Sequence, residues 1–480
     1  MEDFNNIIII ILIFILTAIA YLIAKAFVIY CLYADKYPHI KNKYRKSATH
    51  DFPLFYSTYF IKKETLRQVL RFKPSRLHAL YALAIKNPLL AKKTATRARP
   101  DLHHKKYQEW LLLCAELEMA DNNCNQCYEY FQKIMKPKAL PRPLQARFLY
   151  LTARYEFFQT DMKNAAEHIT RAIQIYKNKK YTAYQYEYGE CISTMGQIYR
   201  ISGMHDAAFS LFNEAQKVYQ TIACPPKEIE TNAYLGLLEI GQENYALAQD
   251  YLEEAYQKAT RQNMQKTQTD IKNWQGLIFY LQKDYVASQK SFTEALKAAQ
   301  ALHTKTFSTE MLARLYYTLK EEKKALTYIN QAIDYNNKLA RYSGIFENQY
   351  LKAEIYFNHQ DYKKSKDILN LLIKNNQYKS STYDIANAYT LLGAIEFKQN
   401  NLNRAHTLFM QALDLEHSKD RLKGAAVDYN NLAEIARCTG DKETSEKYLK
   451  QALLYATQTN DTELAEFIKT KLDNLPEKQS

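Results

Sequence analysis

The 480-residue sequence predicts an all-α fold, in which helix pairs repeat about every 40 residues and follow one transmembrane helix. Two observations predict the repeating part. Glycine and proline are scarce, with 10 and 11 residues, too few for the turns and phosphate-binding loops that an α/β enzyme of this length needs. A fixed spacing of small residues also recurs eight times after residue 107, and recurrence at a fixed period is typical of helical repeats.

A long apolar run, residues 7–34, lies near the start of the chain and is interrupted only by Lys25. Its first 18 residues, IIIIILIFILTAIAYLIA, carry no charge, and about 20 apolar residues cross the hydrocarbon core of a bilayer. Glu2 and Asp3 make the flank acidic, whereas a cleaved signal peptide begins with basic residues. We therefore predict an uncleaved transmembrane helix within residues 1–35. A signal peptide and a buried core helix are the alternatives.

Residues 36–106 hold most of the excess positive charge, with 18 Lys and Arg residues against three acidic residues. Basic residues beside a transmembrane helix remain in the cytoplasm, so this segment predicts an external N-terminus and a cytoplasmic C-terminal part. The apolar spacing within it suggests short helices. The charge either binds anionic lipid or serves only as a solvated topology signal. No known nucleic-acid-binding motif accompanies it, and we expect no nucleic-acid partner.

The repeated spacing joins three small residues and one large apolar residue. The second small residue follows the first by twelve positions, the third follows seven later, and the large residue lies three positions before the third. In chain order, with the large residue last, the sets are Ala153/Ala165/Ala172/Ile169, Gly196/Ala208/Ala215/Phe212, Gly236/Ala248/Ala255/Leu252, Gly276/Ser288/Ala295/Phe292, Ala313/Ala325/Ala332/Ile329, Ala353/Ser365/Leu372/Leu369, Gly393/Ala405/Ala412/Phe409 and Ala433/Ser445/Ala452/Leu449. Only Leu372 is not small. We expect the first small residue to meet an alanine of the second helix, and stacked pairs to share a continuous core.

The spacing resembles the tetratricopeptide repeat, whose consensus has small residues at its eighth, twentieth and twenty-seventh positions. Residues 388–413 (AYTLLGAIEFKQNNLNRAHTLFMQAL) and 192–216 (ISTMGQIYRISGMHDAAFSLFNEAQ) match it closely. The longer period is similar to that of the kinesin light chain type. The resemblance implies an α-solenoid, a right-handed superhelix of eight to nine helix-turn-helix repeats over residues 107–459, with a capping helix and tail over 460–480.

In this family the first helices of the pairs line the face that binds partners. Four positions after the first small residue, four consecutive repeats carry an aromatic side chain, which suits an extended peptide or a partner helix. The candidate face comprises Tyr280, Arg314, Tyr317, Glu354, Phe357, Phe397 and Arg437. In the alternative, the rings pack between repeats and the charges are solvated. The position after the first small residue holds no asparagine in these repeats, so a chaperone carboxylate clamp is not expected.

Sequence motifs of catalysis are absent. The chain has no Walker A, dinucleotide-binding, H-E-x-x-H or G-x-S-x-G motif. The pair Cys124 and Cys127 has zinc-ligand spacing, but Cys127 occupies a core position of a degenerate first repeat over 107–136, which favours a packed thiol. Seven cysteines at irregular spacing indicate a reducing compartment. We therefore predict no enzyme activity, no cofactor and no metal.

Together, the resemblance and the apolar run imply a function in binding. We expect a membrane-anchored scaffold or adaptor that holds protein or peptide partners on the cytoplasmic face. The alternative is a regulatory or assembly subunit of a membrane transport, secretion or envelope-biogenesis complex. The layout resembles bacterial assembly factors that regulate lipopolysaccharide synthesis, but the two CxxC pairs of their C-terminal metal module are missing.

Overall fold

The computed structural model describes residues 107–120, 124–134, 140–178, 184–222, 224–375, 382–417, 421–459 and 461–474. Within these ranges the chain forms 19 α-helices and no strand. No helix in the described ranges combines the length and apolar character that a membrane span requires. The predicted transmembrane helix at 7–34 and the basic segment at 36–106 lie outside the described residues.

The helices follow one another through short connections. In chain order they are α1 (Tyr107–Ala120), α2 (Cys124–Gln132), α3 (Arg142–Phe158), α4 (Met162–Tyr176), α5 (Gln185–Ile201), α6 (His205–Thr221), α7 (Pro225–Gly241), α8 (Tyr245–Arg261), α9 (Gln265–Leu281), α10 (Tyr285–Ala298), α11 (Leu302–Thr318), α12 (Glu322–Leu339), α13 (Tyr342–Asn358), α14 (Tyr362–Lys374), α15 (Thr382–Lys398), α16 (Leu402–His417), α17 (Leu422–Cys438), α18 (Lys442–Gln458) and α19 (Thr462–Asp473). From α3 onward the odd-numbered helices up to α17 are the first helices of eight pairs.

These helices belong to two compact units. Of the described residues, unit 1 holds 107–120, 125–154 and 165–238, and unit 2 holds Cys124, 155–164 and 239–474. Within unit 2, first helices also contact the first helices of neighbouring pairs, as α9 does with α11 and α15 with α17. In unit 2, a first helix therefore packs against the second helix of its own pair and also against the neighbouring pair, as the helical-repeat architecture requires.

The repeated small and large residues form the core. All 24 members of the triplets are buried, and the eight large residues are at most 3% exposed. The predicted pattern is therefore confirmed as the set of positions where the helices meet. Leu372, the one large residue at a small position, is buried in the same cluster as Ala388 of α15.

The first small residue contacts the second helix in two ways. It meets the second small residue as expected where that residue is serine, since the Ser288 hydroxyl donates to the Gly276 carbonyl at 2.9 Å. In three of the pairs that begin with glycine, the glycine also faces the large residue of the second helix. A Cβ added at this glycine would lie 2.7 to 2.9 Å from a ring carbon, which is too short for two carbon atoms that are not bonded to each other. The three glycine–ring pairs are Gly196/Phe212, Gly276/Phe292 and Gly393/Phe409. Because glycine has no side chain, the phenylalanine ring can occupy the space beside it.

One turn recurs within the pairs. Three residues join the helices, and the middle one has a positive φ, for example 75° at Gly203 and 64° at Lys283. The N–H of the next residue donates to the carbonyl five positions earlier, as Met204 does to Tyr199 at 2.8 Å. This is the Schellman arrangement, which satisfies the last carbonyls of a helix. In several pairs an aspartate then caps the second helix, as Asp284 accepts from the Ala287 N–H at 3.0 Å.

Prolines stand in the first turn of two helices. Proline often marks a connection between helices, but α7 begins at Pro225 and Pro143 is the second residue of α3. Proline is tolerated in the first turn of a helix because its missing N–H has no partner there. In the pair formed by α1 and α2, Cys127 and Phe131 are buried on α2. The predicted last helix is α19, which buries Ile468 against α18.

Candidate functional site

The four aromatic residues of the candidate face lie on consecutive first helices of unit 2. Tyr280, Tyr317, Phe357 and Phe397 are half-buried, and each packs against the hydrophobic core of its pair. Their position repeats because each follows the first small residue of its helix by four positions, one helical turn. The structure therefore brings the rings to equivalent places and leaves part of each exposed.

The two tyrosines also connect neighbouring first helices. The Tyr280 hydroxyl hydrogen-bonds to Oγ1 of Thr318 at 2.9 Å, and Nδ2 of Asn358 donates to the Tyr317 hydroxyl at 3.0 Å. Each bond runs from one pair to the next. These contacts favour the interpretation that the rings pack between repeats, and they also hold the exposed edges in fixed positions.

The charged members of the face divide into two groups. Arg314 pairs with Glu347 of the next first helix at 2.9 Å. Glu354 lies close enough to Arg314 and Tyr317 to interact with both electrostatically. Burial raises the pKa of Glu354 to about 7, although Arg314 and a hydrogen bond with Tyr350 oppose it. The middle of the face therefore holds a carboxyl that titrates near neutral pH.

Arg437 lies two pairs farther along, on α17. It is exposed and pairs with Glu434 at 2.7 Å, and Lys471 of α19 pairs with the same carboxylate at 2.9 Å. The two cations hold the pKa of Glu434 below its usual value, although burial opposes them. The structure thus places Arg437 in an ion-pair cluster at the C-terminal end of unit 2, with different neighbours from the other candidate residues.

Sequence reasoning missed a second polar site, which lies in unit 1. The Glu190 carboxylate of α5 accepts hydrogen bonds from the Tyr219 hydroxyl at 2.6 Å and the Tyr150 hydroxyl at 3.3 Å, and it pairs with Lys227 at 3.1 Å. Burial alone would raise the pKa of Glu190, but Lys227 and Tyr219 outweigh it and lower that pKa. Its members come from four helices, so no local motif announces them. One signal was available: Arg200 occupies the register that holds a ring in the later repeats.

Comparison with known proteins supports the fold. The sequence profile of the tetratricopeptide repeat matches residues 310–339, which include all of α12 and the end of α11. No curated protein matches the sequence. Among solved structures, a Rap protein complexed with Competence and Sporulation Factor is 15% identical, with a TM-score of 0.51 over 80% of this chain and 99% of that chain.

Two other structures give the same degree of similarity. NprR in complex with its cognate peptide NprX is 14% identical, with a TM-score of 0.51 over 74% of this chain and 99% of that chain. A signal-transduction ATPase with a tetratricopeptide repeat sensor from Pyrococcus horikoshii is 12% identical, with a TM-score of 0.51 over 86% of this chain and 66% of that chain. At such identities only the fold is shared. The described part of this chain has a tetratricopeptide-type helical-repeat fold.

Proposed function

We propose that the chain is a non-catalytic, membrane-anchored scaffold, which binds a protein or peptide partner along the first helices of unit 2. One observation carries the proposal: partly exposed rings recur at one register on four consecutive first helices, with Arg314 and Glu354 between them. Rings that are already fixed by packing lose little conformational entropy when a partner covers them. Aromatic anchors of this kind carry much of the energy of protein interfaces.

The similar structures support a peptide or protein as the partner. Rap is complexed with Competence and Sporulation Factor, and NprR with a cognate peptide. Both share the helical-repeat fold of this chain, in which successive first helices present a long row of side chains. The assignment of individual residues here rests on the contacts in unit 2 alone, because identities of 14–15% transfer no residue roles.

The proposed anchor is the apolar run at 7–34, and the proposed orientation follows from the charge of residues 36–106. Eighteen basic residues directly after the run place that side in the cytoplasm, with the helical repeats on the same side. A periplasm- or lumen-active topology reporter fused after Ser480 is expected to remain inactive. Reporter activity there would contradict the orientation.

Crosslinking in native membranes tests the binding face. We expect the double substitution Tyr317→Ala and Phe357→Ala in the full chain to reduce partner recovery about tenfold or more, as loss of hot-spot rings does. The matched control is Leu371→Ala with Leu454→Ala, which removes exposed apolar side chains from second helices of unit 2. If the Tyr317→Ala and Phe357→Ala variant recovers as much partner as the unchanged chain and has the same thermal midpoint, these rings do not form the binding face.

A further inference from the structure

A buried polar cluster joins α12 and α13 in unit 2. The Glu310 carboxylate, which comes from α11, accepts a hydrogen bond from Nδ2 of Asn336 at 2.8 Å and another from Nδ2 of Asn348 at 3.1 Å. Both bonds end on the same oxygen, Oε1, so the side chains at these two positions converge. Arg341 pairs with the same carboxylate at 3.0 Å and balances its charge. The amides supply the donors, and this junction therefore needs no protonated carboxyl group.

The same positions carry different side chains at the junction between α16 and α17. Each member of the first cluster has a counterpart two repeats later: Thr390 for Glu310, Glu416 for Asn336, Arg421 for Arg341 and Asp428 for Asn348. Two carboxyl groups thus occupy the positions of the two amides, and a hydroxyl replaces the carboxylate that received them. The second cluster therefore contains one carboxyl group more than it has cations.

Both carboxyl groups are buried against the same face of α17. Glu416 is 2% exposed and lies against Gly424, where an added Cβ would be 2.5 Å from Oε1 of the glutamate. Asp428 follows Gly424 by one helical turn, is 1% exposed and accepts a hydrogen bond from Oγ1 of Thr390 at 2.8 Å. The Oε2 atom of Glu416 is buried and has no hydrogen-bond partner among the described residues. Carboxylate oxygens only accept, so a proton on either group supplies a donor.

The surroundings favour the protonated form of both groups. Burial raises the pKa of Asp428 to about 8, and the Glu416 charge adds to the effect while Thr390 opposes it. Burial also raises the pKa of Glu416, although Arg421 opposes it. One guanidinium balances one carboxylate, so the other carboxyl group is the one that keeps its proton. Two acids this close titrate as a pair.

The other groups around α17 have partners of their own. His417 of α16 hydrogen-bonds through Nε2 to the Tyr429 hydroxyl at 3.3 Å, and the Tyr455 ring of α18 lies 5.8 Å from the Tyr429 ring, between centroids. On the side of α19, Lys423 pairs with Asp461 at 2.7 Å. Arg421 therefore remains the cation that acts on the two buried acids.

The same junction covers an apolar face of α16. Phe409 and Leu413 of α16 lie in one buried cluster with Ala425, Leu432 and Ile435 of α17. This apolar contact does not titrate, whereas the two acids beside it do. A change in pH therefore acts on the junction through the acids alone.

We propose that the α16/α17 junction is a proton-controlled joint: Glu416 and Asp428 hold one proton between them while the last repeat is docked, and loss of that proton releases α17, α18 and α19 from α16. With the proton, one carboxyl group donates to the other, as the amides donate to Glu310 in the earlier junction. Without it, two buried negative charges repel each other. Release uncovers Phe409 and Leu413. The joint does not depend on the binding face proposed for unit 2.

Native-state hydrogen exchange of the full chain in non-ionic detergent, read by mass spectrometry, tests the joint. Exposed carboxyl groups titrate near pH 4, so release gives up the proton and is favoured as the pH rises. After correction for the intrinsic exchange rate, we expect the opening equilibrium constant of the α17 amides to rise about tenfold per pH unit from about pH 5 to about pH 8, and to level off above it. Low concentrations of urea should change this opening little, because a local opening exposes little surface.

Three variants connect the opening to the acids. Asp428→Asn is expected to abolish the rise with pH, since an amide does not titrate. Glu416→Gln is expected to end the rise about one pH unit lower, because glutamine can donate to the ionised aspartate. Asp414→Asn, at an exposed position of α16, is the matched control and should keep the profile of the unchanged chain. If Asp428→Asn lowers the thermal midpoint at acidic pH, Glu416→Gln decides.

Three results would overturn the joint. The first is an α17 opening that does not depend on pH in the unchanged chain. The second is a profile that neither Asp428→Asn nor Glu416→Gln alters. The third is an α17 opening with the same urea dependence as that of α11, which would show that the proton leaves only in global unfolding. None of these measurements uses the partner or the rings of unit 2, so a failure of the joint is distinguishable from a failure of the proposed function.

Discussion

At the scale of single residues, the core is specified by matched sizes. Glycine in the first helix faces phenylalanine in three pairs. In the four pairs that begin with alanine, the large residue is isoleucine or leucine. Gly236, set against Leu252 in the sequence pattern, is the exception. A close-packed interior tolerates changes that conserve volume and resists those that do not. The pattern therefore predicts that each position can change only together with its partner.

The pair Gly393 and Phe409 tests this coupling. Gly393→Ala is expected to lower the free energy of unfolding by about 1 to 3 kcal/mol, because the new Cβ would overlap the ring. Phe409→Leu alone is expected to destabilise as well, by leaving a cavity. The double variant reproduces the Ala433 and Leu449 combination found in the next pair, and is expected to recover most of the first loss. Strictly additive losses in urea denaturation would contradict the size match.

A buried aspartate gives the chain a dependence on pH. Asp428 of α17 is 1% exposed, accepts a hydrogen bond from Thr390 at 2.8 Å and lies near Glu416. Burial raises its pKa to about 8, and the Glu416 charge adds to the effect while Thr390 opposes it. The folded pKa exceeds the unfolded one, so folding favours the protonated form. The free energy of unfolding should therefore be largest below about pH 4 and fall until about pH 8.

Asp428→Asn tests this effect. The amide keeps an acceptor for Thr390 and removes the charge, so we expect a gain of roughly 2 to 5 kcal/mol at pH 8.5 and little change at pH 4. Two repeats earlier the same register holds Asn348, a buried amide that donates to Glu310 at 3.1 Å, so the register itself accommodates an amide side chain. The control is Asp250→Asn, an exposed residue of α8. An unchanged pH profile of unfolding in the Asp428 variant would show that this group is not the cause.

At the scale of elements, the turns are more uniform in backbone conformation than in amino-acid sequence. Each of the eight pairs from α3 to α18 has a residue with positive φ at the centre of its three-residue turn, but among these turns only Gly203 and Gly440 are glycines. The hydrogen-bond pattern of the Schellman motif therefore imposes the left-handed conformation on residues such as Lys283, against their own preference. The strain is small at each turn and recurs along the array.

Lys283→Gly is expected to stabilise the chain by about 0.5 to 1 kcal/mol, because glycine adopts φ of 64° without a Cβ penalty. The Lys283 side chain is exposed, so little else is lost. The same substitution at Lys290, an exposed position within α10, is expected to destabilise by about 1 kcal/mol, since glycine disfavours a helix interior. Chemical denaturation measures both. Destabilisation by both substitutions would exclude relief of strain at the turn.

The sequence predicts the helix pairs well because the spacing of small residues is the same in each pair. Gly276, Ser288 and Ala295 lie twelve and seven residues apart on two adjacent helices, so a local pattern reveals the pair. It does not reveal that Gly276 faces Phe292, because that contact depends on the angle at which the helices cross. The site around Glu190 was missed for a related reason. Its partners Tyr150 and Lys227 lie 40 and 37 residues away, and only the stacking of repeats brings them together.

At the scale of the whole molecule, the positive charge and the helical repeats are separated along the chain. Residues 36–106 carry a net charge of about +15 by formal count, whereas the 480-residue chain carries +14, so the helical repeats that follow are nearly neutral. An array without excess charge gains little long-range attraction to an anionic surface. We therefore expect any electrostatic attraction to a membrane to come mainly from the basic segment.

Removal of residues 1–35 separates the two contributions. We expect the full chain to resist carbonate extraction, and the shortened chain to be released from membranes yet to bind vesicles that contain anionic lipid. Each basic residue near such a surface contributes about 1 kcal/mol, and salt screens the attraction. Binding should therefore fall steeply between 0.05 and 0.5 M NaCl, values chosen to span roughly a threefold change in Debye length.

The matched control for lipid contact is a shortened chain in which Lys41, Lys43, Arg45 and Lys46 are replaced by glutamine. It is expected to lose most of its binding to anionic vesicles, and neither chain is expected to bind neutral phosphatidylcholine vesicles. If the shortened chain ignores anionic vesicles even at low salt, the basic segment acts only as a topology signal. If it remains in the carbonate-resistant fraction, residues 7–34 are not the anchor, because the basic segment alone is too weakly held to survive that extraction.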